Sequence, residues 1–387
     1  MSMIRKRRLT DQQSRRIDAQ HSRRQQQEDL HDDPSGATTL EGLIVAHYGR
    51  QLEVQVLSVP TQPQVAPIVA EGEPEPFWRE IALGEIWRCH TRTNLPVLIT
   101  GDRVRWQADS NTGLGVITAL HARQSLLTRP DRYHKVKPVA SNVSLIVVMF
   151  AALPVPSMQL IDRYLVACQQ ADIPALLVLG KADLLTENDP LLDRLAEYRA
   201  LGYDTLCIRT DGDLSELQTR LNGHTVVFVG QSGVGKSSVI NALMPEAMQR
   251  VNVISENSAL GQHTTTTTRL MPFDAHDLSQ GALIDSPGIR EFGVWHLSVD
   301  AIRAGFIEMQ ALYGTCRFRN CTHRHEPDCA LRQAAARGEI LERRLLSLNR
   351  LEDDALAVEQ PHETVFAVIL ADTIHLSARC SRLITLA

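Results

Sequence analysis

The sequence predicts a multidomain chain: an N-terminal OB-type β-barrel, a central α/β domain with a P-loop, and a C-terminal helical zinc-binding domain. Three observations carry this. Between Leu40 and Arg123 short apolar runs are punctuated by glycine turns, from Asn142 onward strands alternate with helices, and Cys316 to Cys329 holds three cysteines and a histidine. A length of 387 residues is too great for one ordinary core and suits several domains of ~150 residues.

Residues 1 to 24 carry Arg5, Lys6, Arg7, Arg8, Arg15, Arg16, Arg23 and Arg24 against only Asp11 and Asp18, with almost no apolar content. Such a segment cannot bury enough surface to fold alone. Residues 1–38 therefore read as a basic arm, either one that neutralises nucleic-acid phosphates or a solvated tail. The net charge of -5 gives no global reason to expect nucleic acid; the clustering of charge does. No apolar h-region follows the arm, as a secretory signal requires, and the longest apolar stretch, Val143 to Ala152, is far short of the roughly 18 to 20 residues of a membrane span. A cytoplasmic protein with no membrane partner is expected. Seven cysteines, an odd number, suit a reducing compartment, and Cys89, Cys168 and Cys207 stand in apolar contexts as buried free thiols would.

Residues 39–125 supply the barrel. Its five runs are Glu41 to His47, Leu52 to Leu57, Glu85 to His90, Val97 to Trp106 and Gly113 to Leu120, the pattern of a small Greek-key barrel. Pro60 to Pro76, rich in Pro and Glu, reads as an extended loop. Barrels of this kind hold single-stranded nucleic acid on basic grooves and aromatic platforms. Arg103, Arg105, Trp87 and Trp106 could serve there, or the tryptophans could be core.

Residues 126–295 form the α/β domain. Strands are expected at Leu145 to Phe150, Ala175 to Leu179, Thr205 to Ile208, Thr225 to Val229 and Ala282 to Ile284, with helices at Gln159 to Ala171, Pro190 to Leu201 and Lys236 to Leu243. That alternation gives a mostly parallel sheet with helices on both faces and ligands at the strands' carboxyl ends.

The chemistry sits at those ends. Gly230, Gln231, Ser232, Gly233, Val234, Gly235, Lys236, Ser237 and Ser238 follow an apolar strand and open a helix, so backbone N–H groups converge on phosphates. Lys236 reaches the β and γ phosphates and Ser237 ligates Mg²⁺. Downstream, Asp285-Ser-Pro-Gly288 supplies a carboxylate for Mg²⁺ through water and an N–H for the γ-phosphate. Between them lies Gly261-Gln-His-Thr-Thr-Thr-Thr-Thr268; one of its threonines, Thr265 being the choice, completes the Mg²⁺ shell, or the segment is a flexible polar loop. Upstream, Gly180, Lys181, Ala182 and Asp183 end a strand. A carboxylate at Asp183 can accept both N1–H and N2–H₂ of guanine, whereas adenine presents an acceptor at N1 and leaves it unpaired.

Residues 296–358 are charged and helical around Cys316, Cys321, His323 and Cys329, a set that fits a closed, structural Cys₃His zinc site, with His325 an alternative fourth ligand. The tail 359–387 has no assigned role.

The order Lys-x-Asp, P-loop, Thr segment, Asp-x-x-Gly resembles that of the RsgA (YjeQ) family of circularly permuted GTPases, ribosome-assembly factors. Gly230 to Ser238, Gly261 to Thr266, Asp285 to Gly293, Leu127-Thr-Arg-Pro130 and the Cys316 to Cys329 cluster carry the resemblance, which spans roughly Leu40 to Glu352. It implies an OB barrel, a permuted GTPase and a zinc-binding helical domain. It also implies GTP and GDP, Mg²⁺ and one Zn²⁺ as cofactors, and the small ribosomal subunit and its rRNA as partners, bound through barrel, arm and zinc domain late in subunit maturation. A monomer is expected.

Three positions depart from the family. Gly180 stands where Asn is usual, which removes a side-chain bridge worth about 0.5 to 1.5 kcal/mol and predicts weakened guanine binding with selectivity retained. The element that backs guanine O6 is replaced near Arg209 and Thr210, and Thr364 to Ala387 matches nothing in the family. Where many GTPases place a water-orienting Gln, this chain has Ile289, so hydrolysis is slow alone or completed by another group. His263 is the candidate, catalytic over the γ-phosphate once the subunit binds, or else a loop residue. Two rival readings are a non-catalytic RNA-binding assembly scaffold with a weakened nucleotide site, and a P-loop phosphotransferase, which should prefer ATP.

Overall fold

A computed structural model describes residues 38–359, apart from 50, 63, 66–77, 94, 131–135, 210–211, 246–267, 275–276, 287–288 and 290–297. The basic arm, most of the loop 60–76, Thr210, His263, Thr265, Gly288 and the tail lie outside these residues.

Five strands close the barrel: β1 (Thr39–Tyr48), β2 (Gln51–Val56), β3 (Ile86–Thr91), β4 (Arg103–Asp109) and β5 (Leu114–Leu120), in the order β1-β2-β3-β5-β4 with β4 returning to β1. Period-2 alternation selects what points inward. In β3 the buried residues are Trp87 and Cys89, in β4 Val104 and Trp106. The two indoles are 0% exposed with ring centroids 5.5 Å apart, so they are core and not platforms for bases. Trp106 Nε1 donates to the Glu41 carbonyl at 3.2 Å.

The run Val97 to Trp106 is not one strand. Residues 98 to 102 turn around the fully buried Asp102, whose carboxylate accepts from the Ile99 N–H at 2.8 Å, Ser141 Oγ at 2.6 Å and Arg123 Nε at 2.7 Å. Gly101 makes the turn possible: its φ is +95°, and a Cβ there would lie 2.1 Å from the Ser141 carbonyl.

The central sheet runs β10-β9-β8-β11-β13-β12, with β8 (Leu145–Ala151), β9 (Ala175–Gly180), β10 (Asp204–Cys207), β11 (Thr225–Gly230), β12 (Arg269–Pro272) and β13 (Ala282–Asp285). All seven residues of β8 are buried, as a strand covered on both faces requires. Among the described strands of this sheet only β12 is antiparallel to its neighbour, and it also bridges β1 of the barrel at Ala46 and Arg269. Helices α1 (Met158–Gln170) and α2 (Pro190–Ala200) lie on one face; α3 (Ser215–Leu221) and α4 (Lys236–Leu243) lie on the other. Ser157 and Asp189 cap α1 and α2 by accepting from N–H groups of the first turn, and Pro190 opens α2. Sequence reading missed β12, α3 and a hairpin of β6 (Leu126–Pro130) and β7 (Val136–Ser141).

Past the sheet, α5 (Val299–Ala304), a 3₁₀ turn (Ile307–Leu312), α6 (Ala330–Ala336) and α7 (Glu342–Glu359) form the helical region. Its core is not its own: Ile302, Phe306, Leu331, Leu348 and Leu351 pack in one cluster with Ile161, Tyr164 and Leu165 of α1. Gly305 permits the approach, since a Cβ there would sit 2.6 Å from Val166 Cγ1. Inside this seam Arg344, 0% exposed, donates to Asp162 at 2.7 Å and to Glu308 at 2.7 Å and 3.0 Å. Burial alone would weaken its hold on the proton, but the Asp162 and Glu308 carboxylates lift it well above the ordinary range, so it stays charged. Tyr198 also donates to Asp162, at 2.7 Å.

Cys89 and Cys168 are buried free thiols, and burial pushes Cys89 up to about 12. Cys207 is exposed at the edge strand, contrary to expectation. Among the described residues no helix is long and apolar enough to cross a membrane.

Candidate nucleotide and metal sites

The P-loop begins where β11 stops. Gly230 has φ +135°, and a Cβ there would lie 2.1 Å from the Met149 carbonyl of β8, so no other residue fits without moving the strand. Gly233 and Gly235 also have positive φ, +83° and +99°, the sign that glycine adopts without steric cost. Gly235 is the N-cap of α4, which opens on Lys236 and Ser237. Between these turns Val234, 0% exposed, plugs the loop into the core. The result is an open cleft of ≈ 560 Å³ lined by Gly230, Gln231, Ser232, Gly233, Gly235, Lys236, Ser237 and Ser238, with Lys181 across from them and Leu160 and Tyr164 of α1 at one side. Lys236 Nζ donates to the carbonyls of Gly230 at 2.8 Å and Gln231 at 2.7 Å, which stations the ammonium inside the loop.

Of the segment Gly180 to Asp183, expected to read the base, the structure brings Lys181 to the lining of this cleft, while Asp183 is not among the lining residues. Lys181, in the left-handed region at φ 56°, turns the chain sharply out of β9. Its Nζ donates to the carbonyls of Leu153 and Gly233, both at 2.8 Å. The second bond ties the end of β9 directly to the P-loop. Ala182 to Leu184 then form a 3₁₀ turn, anchored by Ala182 N–H to the Ile208 carbonyl at 3.1 Å, and Asp183 is exposed on it. At Gly180 a Cβ would meet Met149 Cε at 3.3 Å and the Val234 carbonyl at 3.5 Å.

On the other side of Lys236, Asp285 ends β13. Asp285, Ser286, Lys236 and Ser237 line a small cavity of ≈ 40 Å³ together with Ile289, which is 3% exposed. Ser286 accepts from Thr268 Oγ1 at 2.8 Å. The sequence motif placed Lys236, Ser237 and Asp285 in one order along the chain, and the structure brings them to one cavity. Lys181's bridge, Tyr164 and the Thr268 to Ser286 bond were not legible, since each joins segments far apart in the chain.

In the helical region, the donor atoms of Cys316, Cys321, His323 and Cys329 all lie within 4.8 Å of one another. Cys316 Sγ is 3.6 Å from His323 Nδ1 and 4.0 Å from Cys329 Sγ, and His323 Nδ1 is 3.4 Å from Cys329 Sγ. A tetrahedral zinc ion with ordinary bond lengths would give edges of about 3.8 Å between sulfurs and about 3.6 Å from sulfur to nitrogen. These donors fit. His323 is buried and His325 exposed, and only the former joins the cluster. The Ala330 N–H donates to Cys316 Sγ at 3.4 Å, a bond that favours the thiolate. Burial pushes the Cys321 thiol up to about 12, with the sulfurs of Cys329 and Cys316 adding to the shift.

Comparison with known proteins agrees with this geometry. The family model for the RsgA GTPase matches residues 120–295. A small ribosomal subunit biogenesis GTPase RsgA from Pseudomonas savastanoi pv. phaseolicola is 50% identical over 310 residues, 79% of this chain and 83% of that one. The RsgA of Alcanivorax borkumensis is 45% identical over 345 residues, 88% and 91% of the two chains. Among solved structures, YjeQ from Thermotoga maritima superposes with a TM-score of 0.61 at 26% identity over 82% of this chain and 99% of that one. YloQ, described as a circularly permuted GTPase, gives 0.60 at 24% identity, covering 86% and 100%, and speaks for the fold. With β9 and its Lys181-Ala-Asp183 ahead of the P-loop strand β11 and half the aligned positions identical to a curated relative, the chain belongs to the RsgA family of circularly permuted GTPases.

Proposed function

We propose that this chain hydrolyses GTP in the cleft between Lys181 and the P-loop, and that hydrolysis serves late maturation of the small ribosomal subunit in the cytoplasm. The observation that carries the reading is the hydrogen bond from Lys181 Nζ to the Gly233 carbonyl, which supports a base reader and a phosphate cradle acting on one ligand. In this reading the N–H groups of Gly230 to Ser238 hold the phosphates and Lys236 leaves its loop carbonyls for the β and γ oxygens. Ser237 and Asp285, with Thr265, hold Mg²⁺, which when bound neutralises charge developing on the phosphate oxygens. Gly288 N–H meets the γ-phosphate and Asp183, beside Gly180 and Ala182, reads guanine.

Ile289 is buried in the core and cannot orient water, so the attacking water falls to another group. His263 takes that role when the subunit is bound. Zn²⁺ held by Cys316, Cys321, His323 and Cys329 is structural, because four protein ligands leave no open position. The protein acts as a monomer, and residues 1–38, the barrel 39–125 and the zinc domain 296–358 contact rRNA around the GTPase unit 126–295.

The test is phosphate release from GTP and from ATP, each with and without small subunits. GTP-specific release stimulated by the subunit is expected. Binding of ATP as tightly as GTP would overturn the guanine assignment, and absence of release under all four conditions would leave an RNA-binding scaffold. His263→Ala should lose the stimulated rate and keep nucleotide affinity; a stimulated rate equal to the parent's would remove His263 from the mechanism.

A further inference from the structure

We propose that Thr100, a barrel residue, is a positioning residue for the GTPase centre, holding Thr268 and through it Ser286 beside Asp285. The inference rests on the GTPase reading above and adds a component that no sequence motif marks.

The chain of contacts is short, with buried residues at both ends and half-buried Thr268 between them. Thr100 is 1% exposed, and its Oγ1 donates to the Thr268 carbonyl at 3.1 Å. Thr268 Oγ1 in turn donates to Ser286 Oγ at 2.8 Å. Ser286 is 5% exposed and directly follows Asp285, whose side lines the same small cavity as Lys236 and Ser237. Two hydrogen bonds therefore separate the barrel from the residue next to the metal-holding carboxylate. They also commit the Thr268 hydroxyl proton to Ser286.

The support behind Thr100 is rigid. Its carbonyl accepts from the Ser141 N–H at 3.0 Å, and the turn it sits in is closed around Asp102, which bonds Ile99, Ser141 and Arg123. The Gly101 N–H donates to the Ile44 carbonyl of β1 at 2.9 Å. Beside this, β1 and β12 pair at Ala46 and Arg269, and Arg269 lies 3.7 Å from Glu53 of β2 and hydrogen-bonds the Tyr48 hydroxyl. Thr268, immediately before Arg269, is thus fixed from the barrel by its carbonyl and by its chain neighbour. A ligand that shifts the barrel wall at residues 98 to 102 acts on Ser286 through this link.

Thr100→Val keeps the shape of the side chain and leaves the Thr268 carbonyl without its partner. GTP hydrolysis by the full chain, with and without small subunits, should show kcat lowered about two- to ten-fold, with KM and the affinity for a fluorescent GDP analogue unchanged. Thr100→Ser retains the hydroxyl and should restore kcat. Thr268→Val should lower kcat similarly, and the double Thr100→Val, Thr268→Val variant should fall no further than the worse single one, because both break one path.

A Thr100→Val enzyme with wild-type kcat overturns the inference, as do multiplicative losses in the double variant. So does a Thr100→Ser enzyme as slow as Thr100→Val, which would assign the defect to packing. Should Thr100→Val melt at a much lower temperature, Ser286→Ala reads the same link from the other end and must give the same loss of kcat. Wild-type protein that releases no phosphate from GTP would sink the GTPase reading and this inference together. Stimulated wild type matched by Thr100→Val would sink the inference alone.

Discussion

Lys181 joins the end of β9 to the P-loop through a single side chain. From the sequence, Gly180 in place of Asn is expected to remove a side-chain bridge to base and P-loop and to weaken guanine binding. In the structure the Lys181 ammonium bonds the P-loop at the Gly233 carbonyl and the Leu153 carbonyl beside it. Lys181→Ala should therefore weaken GTP and GDP equally, by roughly ten- to a hundred-fold given two charge-assisted bonds of about 1.5 kcal/mol or more each, partly replaced by water; calorimetric titration of both nucleotides checks it. Conversely, a Cβ at Gly180 meets only the mobile end of Met149 inside 3.4 Å. Gly180→Asn should fit and tighten guanine nucleotides about two- to ten-fold, the worth of one added hydrogen bond. An unchanged or weaker Kd would mean that the Asn side chain finds no partner here. That Lys236, Ser237 and Asp285 meet in one cavity was legible, because a motif fixes residue type and spacing. The Lys181 bridge was not, because its acceptor Gly233 lies 52 residues away.

At the scale of elements, helix α1 serves two neighbours. Tyr164 lines the nucleotide cleft, while Asp162, on the same helix, is 0% exposed under the helical region and bonded to Arg344 and Tyr198. Removing this cation leaves part-buried Glu308 without this partner and Asp162 with only the more distant Arg343, 3.9 Å away, so Arg344→Ala should destabilise by about 3–5 kcal/mol, read as a lowered urea midpoint. A shift under 1 kcal/mol would mean that water replaces the guanidinium. No pattern announced this pair: Arg344 stands in an ordinary charged helix, Glu342-Arg-Arg-Leu, and its burial follows from helix packing. The parallel strands were legible because burial on both faces makes their sequences continuously apolar, as in β8. Strand β12 escaped notice because four residues, Arg269-Leu-Met-Pro272, carry no period and gain their place from β13 and β1. The run Val97 to Trp106 misled for the opposite reason. Its apolar residues Leu98 and Ile99 are buried, 4% and 6% exposed, yet a buried carboxylate at Asp102 holds them in a turn.

For the whole molecule, the division into barrel, GTPase unit and zinc domain by sequence is not the division by core. The barrel has a core of its own around Trp87, Trp106, Ile44 and Ile117. The helical region does not: Phe306, Met309, Leu348 and Cys329 belong to the cluster that includes Ile161, Leu165 and Ile146 of the sheet domain. Apolar surface on α1 is thus covered by α5 and α7, and neither side can unfold without uncovering the other. Heating should accordingly give two cooperative units, one for the barrel and one for sheet and helical region together. Metal removal discriminates. The Cys₃His cluster closes residues 316 to 329 only, but Cys321 and Cys329 sit in the shared core. A strong chelator should lower the melting temperature of the sheet unit, followed by the loss of GDP-induced stabilisation, and leave the barrel transition where it was. Calorimetry with and without chelator and GDP measures this. If chelation melts the helical region alone, with the GDP-stabilised transition unmoved, the two share a contact but not a cooperative core.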